Sequence, residues 1–250
     1  MRSDDLAARM HTHETAGDDC VAAEVYTVAR LDGRGFSRLA RRPELEPPLD
    51  PRVRDVMIAT ADHLMRCGFE VAYAYTQSDE ISLLLRRDDQ TANPSLRRLL
   101  AVLVGEASAK ATLLFGELAC FDCRLSALAD VDAVVDHFRW RQAEATDEAI
   151  AAHCRFALRE AGASEAEAAG RLEGLDLAQR QALLATLGVD FERLPAWQKY
   201  GAGLQWVQLD VDPTRTTLLR RLRVELELPH GEGYAAFVRE QVGRARAPGT

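Results

Sequence analysis

The amino-acid sequence predicts an α+β fold, in which an antiparallel sheet carries helices on one face and is followed by a mainly helical extension. Short apolar runs rich in Val, Tyr and Leu alternate with helical periodicity over the first 130 residues or so. Their order is strand, helix, strand, strand, helix, strand, as in a split β-α-β or ferredoxin-like sheet. Helical patterns dominate afterwards. We therefore expect a sheet domain over residues 1–130, and a helical extension with late strands over residues 131–250.

The first part of the chain supplies the strands and helices of the predicted sheet. Residues 25–31 have the composition of a buried strand, which Gly33 and Gly35 are expected to end. The prolines of residues 43–51 predict an extended loop. Residues 52–66 predict a helix, because their apolar side chains recur on one face. The runs "EVAYAYT" and "ISLLLR" predict two strands joined by the tight turn "QSDE".

The next elements complete the sheet and begin the extension. A helix is expected from Ser95, a good N-cap, to Gly116, and "FDCRLSAL" predicts a strand. In the extension, "DVDAVVDHF" and "WRQAEATDEAIAAHCRFALREAG" predict a helix followed by a long one, and "AQRQALLATLG" predicts another. Ser164 and Glu167 form a capping-box pattern. The runs "GAGLQWVQLDV" and "RRLRVELEL" predict late strands.

Composition narrows the class of protein. A chain of 250 residues is long enough for a sizeable core, and no apolar run approaches the length of a membrane helix. The polar N-terminus lacks the pattern of a signal peptide, and five cysteines without such a signal favour a reducing cytoplasm. The net charge of −8 is opposite in sign to that of a general nucleic-acid binder, so contact with RNA would need a local basic surface.

Two acids carry the candidate chemistry. Asp32 follows the first strand and Asp79 lies in the hairpin, and in this fold the two strand ends are adjacent. Carboxylate oxygens suit Mg²⁺, and two such ions promote phosphoryl displacement. The glycines beside Asp32 allow backbone N–H groups to approach phosphate. Alternatively, both acids cap turns, as Asp often does. Arg34 and Arg38 either face phosphate or are solvated.

Several motifs resemble the tRNA(His) guanylyltransferase family, in its order and spacing, over roughly residues 20–207. They are "RLDGRGFSRL", "YTQSDEISLLL", "FDCRL", "WRQAEAT", "GRLEG" and "LPAWQKYGAGLQW". The second is similar to the bacterial and archaeal branch that repairs tRNA 5′ ends. The resemblance implies a polymerase-type palm that adds nucleotides in the 3′–5′ direction. It also implies ATP and GTP or other NTPs as substrates, two Mg²⁺ ions, tRNA as partner and a homotetramer.

The resemblance also implies roles for individual residues. The metal ligands fall on the side chains of Asp32 and Asp79 and on the carbonyl group of Gly33. The triphosphate loop falls on residues 32–37, and Ser78 lies beside it. The loop members are Asp32, Gly33, Arg34, Gly35, Phe36 and Ser37. Arg180 and Lys199 match basic positions that are candidates for contact with phosphate or tRNA. Glu80 follows the metal acid in the family too, without an assigned role.

This sequence departs from the family after "WRQ". Thr146 replaces a His, and Glu148 and Ala149 replace a pair of polar residues. A carboxylate that faces RNA phosphate is unfavourable, so we expect little selection of tRNA(His).

Cys120 and Cys123 form a CxxC without a second pair, which argues against structural zinc. The alternative functions are a palm-type nucleotide cyclase, which would not need the helical half, and a non-catalytic RNA-binding protein, against which Asp32 and Asp79 argue.

Overall fold

A computed structural model of the chain describes residues 10, 19–20, 24–39, 45–87, 95–210 and 218–245. The strands in chain order are β1 (Tyr26–Arg34), β2 (Val71–Gln77), β3 (Glu80–Leu85), β4 (Cys120–Leu128), β5 (Ala202–Asp210) and β6 (Leu218–Glu225). The helices are α1 (Phe36–Leu39), α2 (Pro51–Leu64), α3 (Leu96–Phe115), α4 (Val131–Glu160), α5 (Glu165–Leu172), α6 (Leu177–Thr186), α7 (Ala196–Tyr200) and α8 (Glu232–Ala245). A 3-10 helix spans Phe191–Arg193.

The strands form one sheet in the order β4-β1-β3-β2-β5-β6. Each neighbouring pair is antiparallel. The predicted α+β class is therefore confirmed. The late strands β5 and β6 extend the same sheet beyond β2, so the second half of the chain contributes to the sheet as well as to the helices. The division at residue 130 stays a prediction.

Helices pack on both faces of the sheet. Side chains alternate along each strand, so Ala29 and Leu31 of β1 pack with α2 and α3, whereas Tyr26 and Val28 pack with α4 and α8. The sequence predicted helices on one face of the sheet only. This is true of α2 and α3, the long helices of the first half of the chain. The extension covers part of the opposite face through α4 and α8. A third, smaller apolar cluster joins α4 to α5 and α6.

Some element boundaries differ from those that the sequence predicts. Strand β1 continues through Gly33 to Arg34, because these residues still pair with β4. The two helices expected after residue 130 are one continuous helix, α4, with Asp130 as its N-cap. The C-terminal helix α8 was not predicted. The expected N-cap at Ser95 is present, and the capping box of Ser164 forms as predicted. None of the described helices is long and apolar enough to cross a membrane.

Candidate active site

The sheet brings Asp32 and Asp79 together at one end of the neighbouring strands β1 and β3. Asp32 lies near the end of β1 and is the register partner of Glu80 at the start of β3. The N–H group of the next residue, Gly33, donates to the carbonyl oxygen of Asp79 over 3.0 Å. Burial raises the pKa of the Asp79 carboxyl, and the nearby Asp32 raises it further. The two acids therefore share a partly desolvated position in which their charges repel.

Close packing at Gly33 makes this approach possible. A Cβ atom at Gly33 would lie 2.5 Å from the Phe36 ring and 2.8 Å from the Cβ atom of Asp79. Such distances are too short for any larger residue without a shift of the backbone. On the other side, Ser78 adopts a positive φ of 53° in the turn between β2 and β3. Its hydroxyl donates to Asp79 over 3.2 Å.

The predicted triphosphate loop follows Asp32 directly. Arg34 is exposed, and Gly35 is exposed with a φ of 75°, which favours glycine. The ring of Phe36 instead packs against Phe115 and Phe121 in the core, so only its backbone is available to a ligand. Helix α1 has only four residues, so a helix dipole contributes little to anion binding at this loop.

Ser37 lies within α1, and its side chain is outside the described part of the structure, as is that of Arg38. Their contacts with phosphate stay predictions.

A cavity of about 180 Å³ lies between the two acids and helix α4. Three strands contribute to its walls, and one face of α4 closes it. Its lining residues are Arg30, Asp32, Tyr75, Gln77, Ser78, Asp79, Glu80, Arg141, Glu144, Ala145 and Glu148. The acids outnumber the arginines, so the cavity is acidic.

Glu80 connects the sheet to α4 in this cavity. Its carboxylate accepts two hydrogen bonds from Arg141, of 2.7 and 2.6 Å, and a third from Arg30 over 3.3 Å. Arg141 also pairs with Glu144, over 2.5 Å. Burial raises the pKa of Glu80, although both arginines oppose this rise. Because its oxygens are engaged by arginines, Glu80 positions α4 and is less available than Asp32 or Asp79 as a metal ligand.

A second cavity of about 380 Å³ adjoins the first. Gln77, Ser78 and Glu148 line both cavities. The other walls of the second cavity come from the loop before α2, from α2 itself, from α4 and from Trp197, whose ring lies 4.6 Å from the Arg54 guanidinium. The two cavities therefore share a wall at Ser78 and Glu148, beside the acids.

Arg180 and Lys199 lie outside the walls of both cavities. Arg180 forms two hydrogen bonds of 2.8 Å with Asp147. Lys199 is 6% exposed, and its ammonium group donates to the carbonyl oxygen of Glu192 over 2.9 Å. Each has a protein partner, and their predicted contact with phosphate or tRNA stays a prediction.

Cys120 and Cys123 are both free thiols on β4. Burial raises the pKa of the Cys123 thiol to about 12, so this thiol is neutral at physiological pH and a poor metal ligand. In the described ranges, no group of three or more His, Cys, Asp or Glu side chains is arranged to hold a metal ion. A metal at Asp32 and Asp79 would therefore also need ligands from the backbone, water or substrate.

Two of the positions at which the sequence resemblance breaks down, Thr146 and Glu148, lie on α4, and only Glu148 lines a cavity. The Thr146 hydroxyl bonds with the carbonyl oxygens of Gln142 and Lys199, both over 2.9 Å. Glu148 projects between the two cavities, and burial raises the pKa of its carboxyl, with a further contribution from Asp79. Thr146 therefore has a structural partner, whereas Glu148 faces the place where a ligand would lie.

Sequence reasoning assigned no site role to Arg30, Tyr75 or Arg141. A signal for the two arginines was present. Arg30 is two residues before Asp32 on the same strand, and so shares its face. Arg141, Glu144, Ala145 and Glu148 recur at the spacing of one helical face. Which face of α4 meets the acids depends on tertiary packing and was not available from the spacing.

Comparison with known proteins gives concordant results. The family model described as tRNA(His) guanylyltransferase matches residues 7–129. A Drosophila melanogaster protein described as a probable tRNA(His) guanylyltransferase is 26% identical over 195 residues, which are 74% of this chain and 68% of that relative.

Two solved structures of a bacterial tRNA(His) guanylyltransferase-like protein share the fold. The complex with ATP is 22% identical, with a TM-score of 0.74, and covers 95% of this chain and 99% of that chain. The complex with GTP is 23% identical, with a TM-score of 0.72 and the same two coverages.

Proposed function

Since the chain belongs to the tRNA(His) guanylyltransferase family, a family of nucleotidyltransferases, we propose that it adds nucleotides in the 3′–5′ direction to the 5′ end of tRNA. The observation that carries this proposal is the convergence of Asp32 and Asp79 beside a glycine-rich loop. Gly33 brings the backbone within 3.0 Å of Asp79, and the exposed Arg34 and Gly35 follow at once. This arrangement suits a nucleoside triphosphate whose phosphates lie against the loop.

The residues at this edge fit a pair of Mg²⁺ ions. Burial and the neighbouring Asp32 raise the pKa of Asp79, and a cation between the two carboxylates would relieve both effects. Asp32, Asp79 and the carbonyl group of Gly33 would hold the ions, with substrate phosphates and water as the remaining ligands. When bound, such ions activate an attacking hydroxyl group and stabilise the leaving oxygen.

The proposed reaction has two steps. The 5′-monophosphate of the tRNA first attacks ATP, forms a bond to the α-phosphorus and releases pyrophosphate. The 3′-hydroxyl oxygen of a second nucleoside triphosphate then bonds to the tRNA 5′ phosphorus, and the bond to AMP breaks. The hydroxyl proton passes to water or to a nearby base. Pairing with the opposite strand of the acceptor stem selects the nucleotide.

Within this scheme, Arg34 and the backbone N–H groups of the loop contact phosphate. The two bacterial structures that share this fold were solved in complex with ATP and with GTP, which supports both nucleotides as substrates. We also propose a homotetramer, from the resemblance to the family, and mass measurement in solution tests this assembly.

The experiment that tests the proposed function uses tRNAs that lack their first nucleotide and carry a labelled 5′ end. The protein is incubated with ATP, Mg²⁺ and each nucleoside triphosphate in turn. We expect the tRNA to grow at its 5′ end, with the added base complementary to the opposite base of the stem. A cyclic nucleotide formed without RNA, at a comparable turnover, would favour a palm-type cyclase instead.

A further inference from the structure

The cavity between the sheet and α4 contains a buried hydroxyl group without a partner. Tyr75 is 1% exposed, and its hydroxyl accepts or donates no hydrogen bond among the described residues. By contrast, the hydroxyl of Tyr73, two residues earlier on the same strand, bonds with Tyr234 over 3.2 Å. Buried polar groups in proteins are normally hydrogen-bonded, so the Tyr75 hydroxyl points to a missing partner.

The charge of the cavity limits what this partner can be. The acidic lining residues are Asp32, Asp79, Glu80, Glu144 and Glu148, against Arg30 and Arg141. Both arginines already pair with Glu80, and Arg141 also pairs with Glu144. Away from a metal ion, a phosphate group, which only accepts hydrogen bonds, would therefore meet mostly acceptors in this cavity. A group that donates a hydrogen bond fits the cavity better.

Glu148 provides the matching acceptor. No hydrogen bond or ion pair engages its carboxylate within the part of the chain that the structure describes, and it lines both cavities. A group between Tyr75 and Glu148 would accept a hydrogen bond from the tyrosine and donate one to the carboxylate. A hydroxyl group does both, an ammonium group only donates, and a phosphate only accepts.

We propose that Tyr75 and Glu148 recognise the ribose 2′-hydroxyl of a nucleoside triphosphate, so that the site selects ribonucleotides over deoxyribonucleotides. This inference rests on the proposed function, because it takes the nucleotide phosphates to lie at the loop after Asp32. The two cavities meet at Ser78 and Glu148, beside Asp79. A nucleotide that extends from the loop along this shared wall would carry its ribose past Glu148, where the 2′-hydroxyl would face the acidic cavity.

The test compares GTP with 2′-deoxy-GTP, because both keep the 3′-hydroxyl that reacts. Addition to a truncated tRNA with cytosine opposite the vacant position gives kcat/KM for each nucleotide. Titration calorimetry gives the Kd for each nucleotide without tRNA. We expect the wild type to prefer GTP by roughly tenfold or more in both measurements, since the 2′-hydroxyl makes one neutral and one charge-assisted hydrogen bond.

Tyr75→Phe and Glu148→Ala are the informative variants. Each should lower the ratio of GTP to 2′-deoxy-GTP, mainly by weakening the reaction with GTP, because each removes one of the two hydrogen bonds to the 2′-hydroxyl. Tyr75→Phe should keep or raise the Tm, because it removes a hydroxyl that has no partner in the free protein. Tyr73→Phe is the matched control: it breaks the bond with Tyr234, should lower the Tm and should leave the nucleotide ratio unchanged.

The outcomes separate this inference from the proposed function. A wild type that shows no preference for GTP over 2′-deoxy-GTP would overturn the inference. A preference that persists in both variants would overturn it as well, because the cavity would then hold only water. Absence of addition to any tRNA would contradict the proposed function. In that case, the binding ratios of the wild type and Tyr75→Phe would still decide whether the cavity recognises the 2′-hydroxyl.

Discussion

At the scale of the residue, the packing of Asp79 beside Asp32 has a cost that thermal unfolding can measure. The pKa of Asp79 is raised above its ordinary value of 3.8, so the folded state holds the proton more tightly than the unfolded state. The ionised carboxylate therefore destabilises the fold, and this loss grows as pH rises from about 4 towards the raised pKa. We predict that Asp79→Asn raises the Tm at pH 7 in the absence of metal, and that the gain shrinks towards pH 4.

Mg²⁺ should reverse this difference in Tm, so that the wild type becomes more stable than Asp79→Asn. A cation that binds the folded wild type raises its Tm, whereas the variant lacks one of the ligands and gains little. Asp62→Asn is the control, because Asp62 is exposed on α2 and pairs with Arg66 away from the site. If Asp79→Asn lowered the Tm at pH 7 as much as a core substitution does, the carboxylate would be a structural group.

A second prediction concerns the space beside the acids. In Gly33→Ala the new methyl group would lie 2.8 Å from the Cβ atom of Asp79, so the loop must move away from the hairpin. We expect a loss of about 1–3 kcal/mol in the free energy of unfolding, as for other overpacked sites. We also expect the rate of addition to fall, because the displaced loop no longer holds Asp32 beside Asp79. Chemical denaturation and the addition assay measure the two effects.

The control for Gly33→Ala is Gly105→Ala. Gly105 is an exposed position of α3 with open space around it. Alanine there should stabilise the protein by about 0.5–1 kcal/mol, because glycine is unfavourable inside a helix. Full addition activity in Gly33→Ala would show that the close approach of the loop and hairpin has no role in the reaction.

At the scale of the element, the pair formed by Arg141 and Glu80 fixes α4 against β3. Both side chains are largely buried, at 8% and 13% exposure. Removing one partner leaves a desolvated charge, so Arg141→Met should cost about 3 kcal/mol or more. The double variant Arg141→Met with Glu80→Gln should cost less than the sum of the single substitutions, by about 1–3 kcal/mol. Urea denaturation of the four proteins gives this coupling energy.

A matched cycle on Arg66 and Asp62 calibrates the measurement. This exposed i,i+4 pair joins the last turn of α2 to the residue after its C-cap, so its coupling should stay near 0.3–0.5 kcal/mol. Equal coupling energies in the two cycles would contradict the claim that the buried pair of Arg141 and Glu80 holds α4 against β3. Addition activity should fall in Arg141→Met, because α4 carries Glu148 to the cavity.

At this scale, part of the site was predictable from the sequence and part was not. The acids at the ends of β1 and in the hairpin were predictable, because alternation and turn residues mark both strands and this fold places their ends together. The path of β1 beyond Gly33 was not, since pairing with β4 overrides the tendency of glycine to end a strand. Tyr75 was also missed, because nothing in a run of apolar strand residues tells which hydroxyl will lack a partner.

At the scale of the whole molecule, charge limits how the protein can bind RNA. A net charge of −8 provides little long-range attraction for a polyanion, so binding depends on a few local arginines and lysines. We predict that addition weakens steeply with salt. We also predict repair of several 5′-truncated tRNAs with little preference for tRNA(His), because Glu148 stands where the family has a neutral polar residue.

The measurement is the rate of addition to truncated tRNA(His) and to two unrelated truncated tRNAs, at matched salt. The three rates should agree within about tenfold, or about 1.4 kcal/mol. A preference for tRNA(His) of about a hundredfold, or about 2.7 kcal/mol, would contradict general repair and favour dedicated guanylylation of tRNA(His).

The most direct test of the central claim, that Asp32 and Asp79 together support nucleotidyl transfer to a tRNA 5′ end, is the addition assay with single substitutions of these acids. Asp32→Asn and Asp79→Asn remove the charge of each carboxylate and keep the shape of the side chain. Asp62→Asn is the control for the loss of a surface charge. We predict extension of the 5′ end by the wild type and the control, and loss of at least about a thousandfold in rate in both site variants, with the fold retained. Substantial 5′ extension by either folded site variant in Mg²⁺ would contradict the claim.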